Sequence, residues 1–338
     1  MEFRNLGTFS LVRPLSTRST SYRMVLARHE DDPEDLPPAY LVKILLPGAG
    51  DEYRLMRANF DHEIELLKRF NHPSIPSAHG EGEQDGARYV IMDYIDGVDL
   101  AALLGHDTRD TRALSKELSV YIMGQLADAL DYIHSYGDVD PETGEPVSLD
   151  VLHRDIAPAN ILLSRTGNVL LADYNTAFSA LLDPDHDTIH AGTKAYMAPE
   201  RVVSGNPATQ KTDLFSMAVV LWEILKGVRC FKAEDDLRTI DAIVRFDVSH
   251  PTKRISGLSP KLSEIVRRNL DRDPGRRYTG ARQMLQRLAQ APEAGAAERS
   301  RSELGALVSE VANARAAARA ERERARRARE RASARRHP

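Results

Sequence analysis

The chain has 338 residues, 42% of them hydrophobic and 28% charged, a globular profile long enough for roughly two domains of ~150 residues and a buried core. Its one cysteine, Cys230, cannot close a disulfide within the chain, and no basic, apolar, small-residue series opens the N-terminus. The most apolar stretch, 217–225, is broken by Glu223, so a disulfide scaffold, secretion and a membrane span of ~20 residues are disfavoured and a cytoplasmic setting is expected. The formal charge of −4 is a cancellation: residues 311–338 hold ten Arg and three Glu, +7, which leaves −11 on residues 1–310.

In chain order, short apolar runs at Leu11-Val12, Met24-Val25-Leu26 and 40–46 are separated by Ser, Thr, Pro and Asp, which predicts strands joined by turns. Over 54–70 the apolar residues, Leu55, Ile64 and Leu67 among them, follow helical spacing, and His72-Pro73 stops the helix. A further strand pair ends in Tyr89-Val90-Ile91-Met92. Beyond Asp99 the pattern turns helical: Leu118, Ile122, Leu126, Leu130 and Ile133 recur at three and four residues, and 214–225 and 262–270 look alike. The polar segment 137–148 predicts an exposed loop or short hairpin. Ser300 with Glu303 predicts a capping box opening a helix whose apolar stripe, Leu304, Leu307, Val308 and Val311, docks on the body or on another chain. After Val311 the chain has helix propensity but nothing to bury.

The chemistry-bearing stretch is His153-Arg154-Asp155-Ile156-Ala157-Pro158-Ala159-Asn160, then an apolar strand, a Gly167-Asn168 turn, a second strand and Asp173. Any one of these acidic residues alone reads as a turn former. Together, at the ends of a hairpin, they bring three oxygen groups to one mouth, which suits phosphoryl transfer: a carboxylate to accept a hydroxyl proton and hard oxygen ligands for magnesium.

On these residues the chain resembles the eukaryotic-like Ser/Thr protein kinases also found in bacteria, over roughly residues 9–290. The resemblance implies a bilobal α+β fold. Its small antiparallel-sheet lobe with one helix would span about 1–95 and its larger, mostly helical lobe about 96–291, leaving 292–338 as a helical or disordered basic tail. It implies ATP and Mg2+ as cofactors, with Asp155 as catalytic base, Asn160 and Asp173 as magnesium ligands, Lys43 on the α and β phosphates and Glu63 as the partner of Lys43. Met92-Asp93-Tyr94-Ile95 resembles the hinge that reads adenine through its main chain, Asp99 the ribose contact, Leu162 the adenine floor and Leu41 the residue above it. Gly192-Thr193-Lys194-Ala195-Tyr196-Met197-Ala198-Pro199-Glu200 resembles the end of the activation segment, Asp213 the brace of the catalytic loop and Arg277 the partner of Glu200. Arg154 could pair with a phosphate on Thr188, and Thr193 is expected to contact Asp155; Ser179 is a further hydroxyl on the segment.

Four departures from the family pattern accompany the match. Residues 16–23 read Ser-Thr-Arg-Ser-Thr-Ser-Tyr-Arg where a glycine-rich loop is expected; Leu41 replaces a small alanine; Ala157 replaces a lysine; and Asp173-Tyr174-Asn175 replaces Asp-Phe-Gly. The resemblance implies transfer of the γ-phosphoryl group to Ser/Thr hydroxyls of protein substrates, the chain itself included. The departures leave a second class open, a pseudokinase scaffold that binds partners with little or no phosphotransfer. The basic tail reads as a site for an acidic partner, nucleic acid or an anionic surface, or as a solvated helix.

Overall fold

The structure, a computed structural model, describes residues 4–334 except 16–19, 107, 109–110, 141, 187–191, 232–234 and 251–252, and does not extend to the side chains of 204 and 327–334. Thr188 and the first half of the glycine-free stretch therefore lie outside the described residues.

The first lobe is a six-stranded antiparallel sheet with one helix. Its elements are β1 (Asn5–Leu6), β2 (Phe9–Leu15), β3 (Tyr22–His29), β4 (Tyr40–Leu45), α1 (Gly50–Arg69), β5 (Ala78–Gln84) and β6 (Ala87–Asp93), with the strands in the order β1-β2-β3-β4-β6-β5. The two-residue period of a strand sorts β4 by face. Val42 and Ile44 pack outward with Leu6, Phe9, Tyr89 and Ile91, while Leu45 joins Phe60, Ile64, Val90 and Met92 beneath α1. Lys43, paired with Met24 and Val90, shares the Leu45 face. On α1 the buried Phe60, Glu63, Ile64 and Leu67 follow helical spacing, so Glu63 lies within the apolar stripe. Asp51 and Glu52 in the first turn, and Lys68 and Arg69 in the last, complement the helix dipole.

The second lobe begins with β7 (Gly97–Asp99), α2 (Leu100–Leu103), α3 (Lys116–His134) and an exposed hairpin of β8 (Gly137–Val139) and β9 (Pro146–Ser148). The strands β10 (Ile161–Ser164) and β11 (Val169–Leu171) form a small sheet with β7 in the order β11-β10-β7. The helices α4 (Pro199–Ser204), α5 (Gln210–Lys226), α6 (Asp236–Val244), α7 (Pro260–Asn269) and α8 (Ala281–Ala289) complete the body. Ser115 caps α3, its Oγ accepting the Leu118 amide at 3.2 Å. Helix α5 is buried on all sides from Thr212 to Leu225, which explains its largely apolar sequence. Trp222 and Cys230 are packed core residues, at 2% and 3% exposure. No helix among the described residues is long and apolar enough to cross a membrane.

Helix α9 (Ala297–Ala334) is 38 residues long, about 57 Å at 1.5 Å per residue. It opens three residues before Ser300, which is buried within its first turns, so the expected capping box does not form there. Leu304, Val308 and Val311 are buried in the body, against α3, β7, β10 and α2. Two glycines permit this approach. A Cβ on Gly167, at φ +78°, would stand 1.9 Å from the Arg301 carbonyl oxygen, and one on Gly305 would stand 2.6 Å from the Arg165 carbonyl oxygen. Arg301 Nε donates to the Thr166 carbonyl at 3.1 Å, and Arg165 Nη1 to the Ser309 carbonyl at 3.4 Å.

Candidate active site

Lys43, Glu63 and Asp173 meet between the lobes although they lie far apart in sequence. Lys43 Nζ donates to both oxygens of Glu63 at 2.9 and 2.7 Å and to Asp173 Oδ1 at 2.9 Å. Lys43 and Glu63 are 5% and 1% exposed, so water screens their attraction little. Burial alone would lower the Lys43 pKa, but Asp173 and Glu63 outweigh it and hold the ammonium charged. Lys43 in turn pulls Asp173 below the usual carboxylate range against the opposing effect of burial. Burial pushes Glu63 upward, and Lys43 opposes that shift. Asp173 itself stands at φ +66°, a conformation uncommon outside glycine, Asn and Asp.

The residues of the 153–160 loop assemble around Asp155. Asn160 Nδ2 donates to Asp155 Oδ2 and to the Asp155 carbonyl, both at 2.8 Å. The Thr193 amide donates to Asp155 Oδ1 at 2.6 Å, so the expected contact exists and runs through the Thr193 main chain. Behind the loop, Asp213 on α5 accepts from the His153 and Arg154 amides at 3.0 and 2.9 Å and bonds His134 Nε2 at 2.9 Å. Arg154 needs that support, since it is held at φ +67° with its guanidinium 4.8 Å from the Phe178 ring. Tyr174 is fully buried, edge-on to Phe70 and His153.

A cavity of about 490 Å³ lies between the lobes, within the range that suits a small-molecule ligand. Leu41, Asp93, Ile95, Asp99, Leu162 and Lys43 all face it, together with Asn160 and Asp173. The β10–β7 register explains two of these positions, because Leu162 pairs directly with Asp99. The amides of Asp93 and Tyr94 are given to the Ser77 and Ala39 carbonyls at 3.0 and 2.9 Å, and Ile95, next along the chain, lines the cavity. The Asp93 carboxylate points to the Ser77 amide and to His79, and Asp99 Oδ1 caps α2 through the Ala102 amide at 2.7 Å. Asn160 spends its amide nitrogen on Asp155, and its side-chain oxygen and the Asp173 carboxylate are the oxygen groups these two residues bring to the cavity wall. That pair suits magnesium, which takes one or two protein oxygens alongside phosphates and water.

Tyr22, His62, Arg315 and Arg319 carry no recognisable local signal. Tyr22, at the start of β3, has its ring 5.2 Å from Lys43 Nζ and donates its hydroxyl to Asn175 Oδ1 at 3.2 Å, tying the first lobe to the segment after Asp173. His62, beside Glu63 on α1, bonds the Ser179 hydroxyl at 2.8 Å, and Ser179 is fully buried. That burial removes Ser179 from the accessible hydroxyls of the activation segment. Arg277, 1% exposed, holds both oxygens of Glu200 at 2.7 and 2.8 Å. Arg315 and Arg319 of α9 also face the cavity.

Comparison with known proteins agrees with this geometry. Residues 41–288 match the protein kinase domain. Among curated relatives, the chain is 30% identical over 274 residues to the serine/threonine-protein kinase PknJ of Mycobacterium tuberculosis, covering 78% of this chain and 43% of the relative. It is 28% identical over 248 residues to PknB of Mycolicibacterium smegmatis, covering 70% of this chain and 37% of the relative. It is 30% identical over 243 residues to ribosomal protein S6 kinase alpha-3 of Mus musculus, covering 72% of this chain and 30% of the relative. The chain thus spans less than half the length of each of these relatives. The chain belongs to the eukaryotic-like Ser/Thr protein kinase family.

Proposed function

We propose that this chain is an active Ser/Thr protein kinase, that residues 1–291 form its catalytic unit, and that it transfers the γ-phosphoryl group of ATP to Ser/Thr hydroxyls of protein substrates and of itself. The observation that carries the reading is the single lysine clamped at once by Glu63 and Asp173 beside the hydrogen-bonded pair Asp155 and Asn160. Asp155, its two oxygens held by the Thr193 amide and the Asn160 amide, is oriented to accept the proton of the attacking hydroxyl. Lys43, fixed in place by two carboxylates, positions the nucleotide phosphates. Asn160 and Asp173 would hold magnesium, which supplies positive charge against the transferring phosphoryl group. Ile95 and Leu162 bind the base, and Asp99 the ribose. Arg154 with Thr188 forms the proposed activation switch. A lone buried cysteine fits the reducing cytoplasm as the working compartment.

The test is phosphotransfer from radiolabelled ATP with magnesium to the chain itself and to a generic protein substrate. Wild-type protein is expected to label both, and Asp155→Ala to lose labelling by about 10³-fold while still binding Mg-ATP. Nucleotide binding without transfer in the wild type would overturn the reading in favour of the scaffold. Undiminished labelling in Asp155→Ala would remove Asp155 from the mechanism.

A further inference from the structure

The mouth of the cleft carries two cations contributed from far along the chain. Arg315 and Arg319 of α9 face the same cavity as Lys43, Leu41, Ile95 and Asp173. Their position follows from how α9 docks. Leu304, Val308, Val311, Arg315 and Arg319 are spaced by four, three, four and four residues, which keeps all five side chains on one face of the helix. The apolar members anchor that face on α3, β7 and β10, and the two arginines take over where the body ends and the cleft opens.

The charge of the cavity wall shows what these arginines change. Among the described residues, and without α9, the charged groups facing the cavity are Glu63, Asp93, Asp99 and Asp173 against Lys43, a formal −3 that disfavours a polyanion. Lys43 is moreover committed to two of those carboxylates. Arg315 and Arg319 bring the wall to −1. Guanidinium groups bind phosphate through paired donors in a fixed fork. The chain also lacks the two features with which its family grips phosphates elsewhere, the glycines of residues 16–23 and the lysine at Ala157.

We propose that α9 completes the nucleotide site in cis, with Arg315 and Arg319 binding the phosphate chain of the nucleotide at the cleft mouth. This rests on the nucleotide reading of the cleft given above. The tail is then part of the enzyme's binding machinery and sets its nucleotide affinity.

The experiment uses the full chain and calorimetric titration with Mg-ATP and with adenosine, alongside steady-state kinetics. Glutamine retains helix propensity close to that of arginine, so Arg315→Gln/Arg319→Gln removes charge with little cost to α9. The double variant is expected to bind Mg-ATP about tenfold more weakly, ~1.4 kcal/mol, with adenosine affinity within about twofold of wild type. The KM for ATP should rise by a similar factor with kcat little changed. Arg322→Gln/Arg324→Gln alters the same helix charge away from the cavity and should leave both affinities as they are. Unchanged Mg-ATP affinity in the first variant overturns the proposal. Tighter binding also overturns it, since the arginines would then obstruct the cleft, and so does an equal loss in the second variant, which would indicate bulk charge alone. A wild-type chain that binds no Mg-ATP defeats the underlying kinase reading. A wild type that binds Mg-ATP and is matched by the first variant defeats this inference alone.

Discussion

At the back of the cleft, Lys43, Glu63 and Asp173 come from β4, α1 and the segment after β11 and lock together within 2.9 Å, two of the three nearly out of reach of water. At its mouth, the cations Arg315 and Arg319 stand exposed on a single helix and are positioned by apolar side chains one to three turns earlier. The two regions handle charge by opposite means. Burial at the back makes every electrostatic contact strong and every missing partner costly. Exposure at the mouth leaves each contact weak and screened by salt, so affinity there is adjusted in small steps. Departures from the family pattern occur in both regions: the back retains its Lys, Glu, Asp and Asn but carries Tyr174-Asn175 beside Asp173, and the other substitutions fall on residues 16–23, at Leu41 and at Ala157.

The largest effect is expected at the back. Lys43→Met leaves Glu63 buried without its counter-charge, which should cost about 3–5 kcal/mol of stability and about 10³-fold in phosphotransfer. Chemical denaturation and a radiolabel assay check the two figures separately, and near-normal stability would mean that the back is not held by its charges. A smaller effect comes from His62, behind the same helix. Burial, aided by Arg154, lowers its imidazole from an ordinary 6.5 to about 4, with Ser179 as its hydrogen-bond partner. Above pH 6.5 the ring is neutral in both folded and unfolded chains. As pH falls from 6.5 toward 4 only the unfolded chain takes up the proton, so stability present at neutral pH is lost, by up to about 3 kcal/mol. His62→Gln should flatten that slope in denaturation curves at pH 7.5, 6 and 5, and an unchanged slope would place the acid sensitivity in another group.

The smallest effect tests how the mouth is held. Gly144 and Gly167 share similar positive φ values, +72° and +78°, but a Cβ on Gly144 meets nothing within 4 Å while one on Gly167 meets the backbone of α9. Gly144→Ala should therefore cost about 1 kcal/mol of backbone strain, and Gly167→Ala about 2 kcal/mol with looser docking of α9. Thermal melts give the difference between the two. Equal melting temperatures would show that the Gly167 seam does not hold the helix, and a rise in the KM for ATP in Gly167→Ala alone would tie the seam to the cleft.

Much of the site is legible in the residues themselves. Alternation along β4 separates Leu41, Lys43 and Leu45 from Val42 and Ile44, and it is enough to turn the lysine toward α1. The helical spacing of Phe60, Glu63, Ile64 and Leu67 places a carboxylate inside an apolar stripe, an arrangement that requires a buried partner. The motif from His153 to Asp173 announces a loop of oxygen groups before any fold is known. The Ser300–Glu303 pair is less informative: it has the composition of a cap, but the helix begins earlier and Ser300 becomes a packed residue. The bond between His62 and Ser179 joins positions 117 residues apart and leaves no mark in either local pattern.

The tail shows most clearly where sequence alone stops. Its composition determined that residues beyond 311 would be basic and unable to form a core, with helix propensity that left a helical or a disordered tail open, because Ala, Arg and Glu favour helix and bury nothing. With eight arginines between residues 311 and 334 of that helix, composition does not select the two that face the cleft. That choice was made by tertiary structure. Leu304, Val308 and Val311 bury against α3, β7 and β10, Gly167 and Gly305 allow the backbones to touch, and the rotation of a rigid helix about those anchors carries Arg315 and Arg319 to the mouth. Local chemistry determined the back of the cleft; packing between surfaces remote in the chain decided what stands at its entrance.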